Sequence, residues 1–394
     1  MEVFILSAVR TPIGSFRSSL AGFSSSDLGA IVIKEALERA KVDPGDVDEV
    51  ILGQVLTALC GQNPARMASI KAGLPTTVPA YCLNMVCGSG LKAVVLGAQS
   101  IICGDAEITV VGGQESMSQA PHAVQMRPGV KMGNTFLTDL MIYDGLTCGI
   151  RGIHMGITAE NLASKFNVSR EEQDQFSLFS QKKAESAQNS GCFKEEIVSV
   201  TIKNSKGSEH KFSEDEFIRK GATIEGLAKL RPCFNTKGNG SVTAGNASGI
   251  NDGAAALVLI SKKEAERRQA KPLARLVSWA HAGVDPEVMG VGPIEAVKKA
   301  LIKAKWTIES VDLFELNEAF AVQSLVVLEE LAIDKKKVNV GGGAIALGHP
   351  LGASGARILV TLLHSLKREN KTRGVAALCI GGGMGIAVCV EMCI

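Results

Sequence analysis

Aromatic side chains are scarce in this chain of 394 residues: Phe, Tyr and Trp together make 4%, with two Trp and two Tyr. That scarcity argues against the stacked aromatic platforms that hold single-stranded nucleic acid. An excess of one charge is missing too, since 42 Lys and Arg against 40 Asp and Glu leave a formal net charge of +2. No overall field draws the molecule to nucleic acid or to an anionic membrane, so an anionic ligand has to be met by local groups. Paired zinc-type spacings are absent, and the ten cysteines fall at irregular intervals, several inside apolar runs such as Ala377-Leu378-Cys379-Ile380. That pattern fits reduced, buried thiols better than a disulfide scaffold or a structural metal. Cys389-Val390-Glu391-Met392-Cys393 is expected to lie at a frayed chain end. No basic leader precedes the strand-like Met1-Glu2-Val3-Phe4-Ile5-Leu6. No run approaches the ~18 apolar residues of a membrane span, and the final residues are not a peroxisomal tripeptide. A cytoplasmic protein is the expectation.

What is present is a balance of 46% hydrophobic and 21% charged residues, typical of a soluble globular chain, at a length that calls for two or three domains. Residues 33–54 overlie residues 297–318 without gaps at a displacement of 264. Lys34, Ala36, Leu37, Ala40, Lys41, Val47, Asp48 and Leu52 face Lys298, Ala300, Leu301, Ala304, Lys305, Val311, Asp312 and Leu316. Ser89-Gly90 matches Ser354-Gly355 at 265, and Val111-Gly112-Gly113 matches Ile380-Gly381-Gly382 at 269. A repeat of this length is a domain duplication, since solenoid units recur every ~20–50 residues. The expected fold is α/β: two duplicated domains packed about a pseudo-twofold axis, with an inserted loop-rich region between the copies. The boundaries read as 1–118 with 246–272, then 119–245, then 273–394. The apolar run Ala254–Ile260 reads as a strand buried on both faces that rejoins the first domain, and Arg170 to Ser190 reads as a helix of the insert.

Four stretches carry candidate chemistry. Cys87, in Asn84-Met85-Val86-Cys87-Gly88-Ser89-Gly90, stands where an extended segment turns into a helix. A helix N-terminus offers free N–H groups and partial positive charge, which favour a thiolate and hold an oxyanion. His349, in Gly348-His349-Pro350-Leu351-Gly352, occupies the corresponding place in the second half, so the duplication brings a base toward the cysteine. Cys379 ends a strand before Gly381-Gly382-Gly383, outside the carboxyl end of a sheet where ligands bind. Asn317-Glu318-Ala319-Phe320 follows Leu313-Phe314-Glu315-Leu316 in the same way, with a helix cap as the plainer reading of Asn317.

Together these stretches resemble the thiolase family, over essentially the whole chain from Leu6-Ser7-Ala8-Val9-Arg10-Thr11-Pro12. The resemblance implies that Cys87 carries an acyl thioester, helped by His349, while Cys379 exchanges a proton with the substrate methyl. It also implies that a water on Asn317 joins His349 in holding an enolate, and that the N–H groups of Cys87 and Gly381 hold the tetrahedral oxyanion. The insert would bind coenzyme A through Leu146, His154, Met155, Arg219, Phe234, Ala244, Gly245 and Ser248, with Met289 and Phe320 lining the acyl end. Gly226 and Cys233 depart from the serine and alanine usual there. The stretch Gly152–Asn161 looks like the biosynthetic type, with acetyl-CoA, acetoacetyl-CoA and CoA as substrates, no permanently bound cofactor and a tetramer as the assembly. The alternatives are a degradative 3-ketoacyl-CoA thiolase, a carrier-protein condensing synthase and a noncatalytic acyl-CoA binder. A nucleotide-binding dehydrogenase is excluded, because no Gly-x-Gly-x-x-Gly follows the first strand.

Overall fold

A computed structural model describes residues 2–203, 207–235 and 238–393. Met1, read above as the start of the first strand, lies outside the described residues, as does Ile394. The main elements of the first half are β1 (Val3–Arg10), α1 (Ser25–Ala40), β2 (Glu49–Gly53), β3 (Ala80–Leu83), α2 (Ser89–Cys103) and β4 (Ile108–Ser116). An insert with helices α3 (Met155–Phe166) and α4 (Arg170–Asn189) leads to β5 (Asn251–Ser261). The second half runs β6 (Ala274–Gly283), α5 (Gly292–Ala304), β7 (Leu313–Leu316), α6 (Ala321–Glu330), α7 (Leu351–Arg368), β8 (Arg373–Ile380) and β9 (Met384–Met392).

The strands join into a single sheet in the order β7-β8-β9-β6-β1-β5-β4-β2-β3, with a two-residue strand added beside β5. β5 is buried along its whole length and pairs with β1 and β4, so the strand expected to rejoin the first half does so. The two halves meet edge to edge, where Val3 pairs with Leu276, Phe4 with Arg275 and Ile5 with Ala274. This pairing reads the same in both directions, which places a pseudo-twofold axis between β1 and β6. Each of these strands carries a register shift at matching places, between Ile5 and Ser7 and between Leu276 and Ser278. A β-bulge repeated in both copies is a retained feature of the duplicated unit.

Local chemistry repeats as well. α1 and α5 both end on a lysine in the left-handed region, Lys41 at φ 53° and Lys305 at φ 58°. Asp48 accepts the backbone N–H groups of Glu107 and Ile108 at 2.8 and 2.9 Å, and its match Asp312 accepts those of Thr372 and Arg373 at 3.0 and 2.8 Å. These anchors start β4 and β8 at a displacement of 265, as do the pairings Leu52 with Gly112 and Leu316 with Ala377. The glycine match at 269 is therefore out of register. Cys379 corresponds to Gln114, not to the level of Val111-Gly112-Gly113.

α2 and α7 pack against each other in the interior. Their crossing requires the matched glycines: a Cβ on Gly90 would sit 2.8 Å from the Ala356 nitrogen, and one on Gly355 would sit 2.4 Å from the Leu91 nitrogen. The window Val86–Cys103, spanning α2, averages a hydropathy of 1.5 over 18 residues, which corrects the expectation that no run reaches membrane-span length. In this fold Leu91, Val94, Val95, Ala98 and Ile101 are buried in the core. Cys389 and Val390 are likewise buried within β9 and not frayed. The insert is tied down by Arg10 at the end of β1, whose guanidinium reaches Asp215 at 2.7 and 2.8 Å and Glu196 at 2.6 Å, all three buried. Burying one member alone would leave an unpaired charge, so this clamp holds the insert firmly over the sheet.

Candidate active site

Cys87 ends a tight elbow that α2 completes. Val86 sits at φ 47°, a left-handed conformation that a β-branched residue adopts at a cost of roughly 1–3 kcal/mol. The elbow is held from three sides. Asn84 Oδ1 accepts the Val86 N–H at 2.8 Å, Ser89 Oγ accepts the Met85 N–H at 2.8 Å, and the same hydroxyl donates to the Val86 carbonyl at 2.6 Å. The result presents a half-buried sulfur at the mouth of the helix. The backbone N–H groups of Gly381 and of Cys87 itself act on that sulfur in the direction that favours thiolate.

His349 lies on the turn before α7. Its backbone N–H donates to Asn251 Oδ1 at 3.0 Å, and Asn251 Nδ2 donates to the Gly14 carbonyl at 3.0 Å, so β5 fixes this turn from the first half. Asn317 stands behind the ring, its Nδ2 3.4 Å from His349 Nδ1, with its Oδ1 buried and unpaired among the described residues. Glu115, at the end of β4, accepts N–H groups from Val55 at 3.0 Å, Leu56 at 3.1 Å and Gly352 at 2.8 Å, joining the loops of both halves.

Desolvation governs the electrostatics. It pushes the Cys87 thiol up to about 11 against the two N–H groups that favour thiolate. Cys379, at the buried end of β8, is held well above the ordinary thiol value by burial and then by the neighbouring Cys87. Two thiols this close cannot both ionise freely. Burial, followed by the Arg357 guanidinium, lowers His349 to about 3. The resting site is thus a neutral imidazole facing two neutral thiols, and proton transfer has to accompany bond formation.

Cys87, His349 and Cys379 line one cavity of about 320 Å³. That is near the lower end of the ~300–1,000 Å³ typical of small-molecule pockets. Leu146, His154, Met155 and Phe234 line it too, as do Ala244, Ser248, Met289 and Phe320. His154 caps α3, its Nδ1 accepting the Gly156 N–H at 3.0 Å, and its ring stacks on Phe234 at 4.8 Å. Asn317 and Gly381 are outside the lining but adjoin His349 and Cys87. Arg219 is outside it as well, donating to the Ala244 carbonyl at 2.8 Å and lying over Phe217. Gly245 is outside the lining too, and a Cβ there would run into the side chains of Leu227 and Leu230. The sequence reading missed Met117, Met141, Ile250 and Leu351 in the lining, apolar residues with no distinguishing signal.

Models of two families match this chain: the thiolase N-terminal domain over residues 3–263 and the thiolase C-terminal domain over residues 270–392. The chain belongs to the thiolase family. The cytosolic acetyl-CoA acetyltransferase of Mus musculus is 59% identical to this thiolase over 390 residues, covering 99% of the chain and 98% of the relative. The acetyl-CoA acetyltransferase of Chromobacterium violaceum is 58% identical over 392 residues, covering 99% and 100%. The crystal structure of the Bacillus anthracis acetyl-CoA acetyltransferase aligns with a TM-score of 0.97 at 45% identity, over 100% of this chain and 99% of that one. The α/β fold expected from the repeat is the one this chain shares with the Bacillus anthracis structure.

Proposed function

We propose that this thiolase is an acetyl-CoA C-acetyltransferase, interconverting two acetyl-CoA with acetoacetyl-CoA and CoA through an acetyl group on Cys87. The observation that carries the reading is the convergence of Cys87, His349 and Cys379 on one small cavity, where the backbone N–H groups of Gly381 and Cys87 favour the Cys87 thiolate. The names and near-complete coverage of the relatives support the same substrates.

In the cleavage direction Cys87 Sγ attacks the C3 carbonyl of acetoacetyl-CoA as its proton passes to His349 Nε2. The N–H groups of Cys87 and Gly381 take the tetrahedral oxyanion. As the C2–C3 bond breaks, Cys379 gives its proton to the departing enolate carbon, and acetyl-CoA leaves. His349, with a water on Asn317, balances the enolate oxygen. Incoming CoA then yields its thiol proton to the Cys379 thiolate and attacks acetyl-Cys87, whose sulfur recovers its proton from His349. Condensation is the reverse, with Cys379 taking a methyl proton. A thiol held above its usual pKa is a stronger base once ionised, which suits so weak a carbon acid.

Coenzyme A thioesters are substrates here, and no resident cofactor is part of the reading. Leu146, His154, Met155, Phe234, Ala244 and Ser248 are proposed to meet the pantetheine, with Met289 and Phe320 at the acyl end; Arg219, bonded to the Ala244 carbonyl, and Gly245 next to it are proposed to complete the coenzyme A site from outside the lining. The division into 1–118 with 246–272, 119–245 and 273–394 is kept as a proposal, supported by the place of β5 between β1 and β4. A homotetramer is proposed from the resemblance, supported by Met132, Phe136 and Leu137, which are 92%, 84% and 68% exposed on one arm of the insert. A cytosolic location is supported by the name of the mouse relative. The test is thiolysis of acetoacetyl-CoA against 3-ketoacyl-CoA substrates of six to ten carbons. A strong preference for the four-carbon substrate is expected, and equal rates on long chains would favour the degradative alternative.

A further inference from the structure

The duplication leaves one matched serine in the first turn of each interior helix, Ser89 in α2 and Ser354 in α7, both fully buried. Ser89 Oγ spends its single proton on the Val86 carbonyl at 2.6 Å and accepts the Met85 N–H at 2.8 Å. Ser354 Oγ lies 2.8 Å from the Pro350 carbonyl and 2.6 Å from His349 Nδ1. A carbonyl can only accept, and two oxygens at that separation repel unless a proton lies between them. The Ser354 proton is therefore committed to Pro350, as that of Ser89 is to Val86. The 2.6 Å contact must then be a donation from His349 Nδ1–H.

We infer that Ser354 is a positioning residue that fixes His349 as the Nδ1–H tautomer, leaving the Nε2 lone pair as the base for Cys87. The inference rests on the proposed function and names the residue that prepares its base. The free Nε2 and the charge that Ser354 can support agree with this, and the Asn317 amide, whose nitrogen faces Nδ1, agrees once it is turned over. His349 Nε2 is buried without a partner among the described residues and its ring lines the cavity, the arrangement of a lone pair kept for a reacting group. When Nε2 takes the Cys87 proton, the Ser354 oxygen already accepts from Nδ1 and supports the imidazolium with a charge-assisted hydrogen bond. Turning the Asn317 amide over would place its oxygen against Nδ1–H, giving that proton a second acceptor and removing the unpaired buried Oδ1. Arg357 is the charged group acting on the ring, and Cys87 and Cys379 are the thiols that share its cavity.

The tautomer can be read directly from nitrogen-15 histidine spectra of the full-length protein. The chain has six histidines, so loss of one signal in His349→Gln assigns the ring. The wild type should show a protonated Nδ1 and an unprotonated Nε2, and Ser354→Ala should move toward the Nε2–H form. In the same variant, transfer of acetyl from acetyl-CoA to Cys87 should slow by about 10- to 100-fold, with affinity for CoA within about twofold. Ser354→Thr, which keeps the hydroxyl, should recover most of the rate. An Nε2–H ring in the wild type overturns the assignment, as does a folded Ser354→Ala that acetylates Cys87 at the wild-type rate. Should Ser354→Ala not fold, the wild-type and Ser354→Thr spectra still decide it. If the wild type forms no acetyl-Cys87, the proposed function fails, and the spectrum still decides the role of Ser354.

Discussion

The two halves of this thiolase share strand order, a paired β-bulge, lysine-capped helices and aspartate anchors, yet they put different chemistry on equivalent places. In the first half the strand tips carry Gln54 and Gln114, whose side chains bond each other at 2.8 Å, and Glu115, which ties three backbone N–H groups. In the second half the corresponding tips carry Glu318, with Asn317 just before it, and Cys379. The helix mouths differ as well, with the proposed nucleophile, Cys87, on one and the proposed base, His349, on the other. A duplicated scaffold thus supplies two loops facing each other across an axis, and on the proposed roles the first half holds the frame and the nucleophile while the second manages protons.

The sharpest way to break this comparison is to truncate both strand tips. Cys379→Ala should lower condensation and the exchange of acetyl-CoA methyl protons with deuterated water by about 10²- to 10⁴-fold. Gln114→Ala at the matched position should leave turnover within about threefold and cost about 1–3 kcal/mol in a urea titration, since Gln54 Oε1 loses its donor. Similar loss of exchange in both variants would contradict the division of labour.

The helix crossing tests the symmetry itself. Gly90→Ala and Gly355→Ala each drive a Cβ into the backbone of the other helix, so both should destabilise by about 1–3 kcal/mol or more. Urea midpoints that fall for one and not for the other would show the crossing to be asymmetric.

Much of this frame is legible in the sequence because the matched residues serve the same end in both copies. Ala36 and Leu37 pack as Ala300 and Leu301 do, and Asp48 anchors as Asp312 does. The register of the last strand pair was misread because its glycines answer different needs. A Cβ on Gly112 would meet the Ala255 carbonyl and one on Gly113 the Gly352 carbonyl, whereas Gly382 and Gly383 turn the chain at φ 85° and 87°. The edge pairing of β1 with β6 left no mark, since Val3–Ile5 and Ala274–Leu276 read as ordinary buried strand. Cys87, His349 and Cys379 stood out through their motifs. The roles of Asn251 and Ser354 depend on which way a ring and a carbonyl face, which only coordinates reveal.

A smaller effect separates the buried acids from the acid–base centre. Desolvation raises the Glu315 carboxyl to about 8 despite Arg357 nearby. Its folded-state value lies above the unfolded 4.5, so the native state holds the extra proton and stability falls as pH rises between about 4.5 and 8. Glu315→Gln should flatten that part of the stability profile. Urea midpoints at pH 5, 6.5 and 8 that keep the wild-type slope would place the dependence elsewhere.

The central claim is that Cys87 carries the acyl group between halves that divide nucleophile from base. The most direct measurement is to mix the protein with acetyl-CoA, quench in acid and weigh the intact protein and its peptides. An added acetyl group on the peptide holding Cys87, absent in Cys87→Ala, is the expected result. Absence of an adduct on any cysteine while CoA still binds would contradict the account and leave an acyl-CoA binder with a thiolase fold.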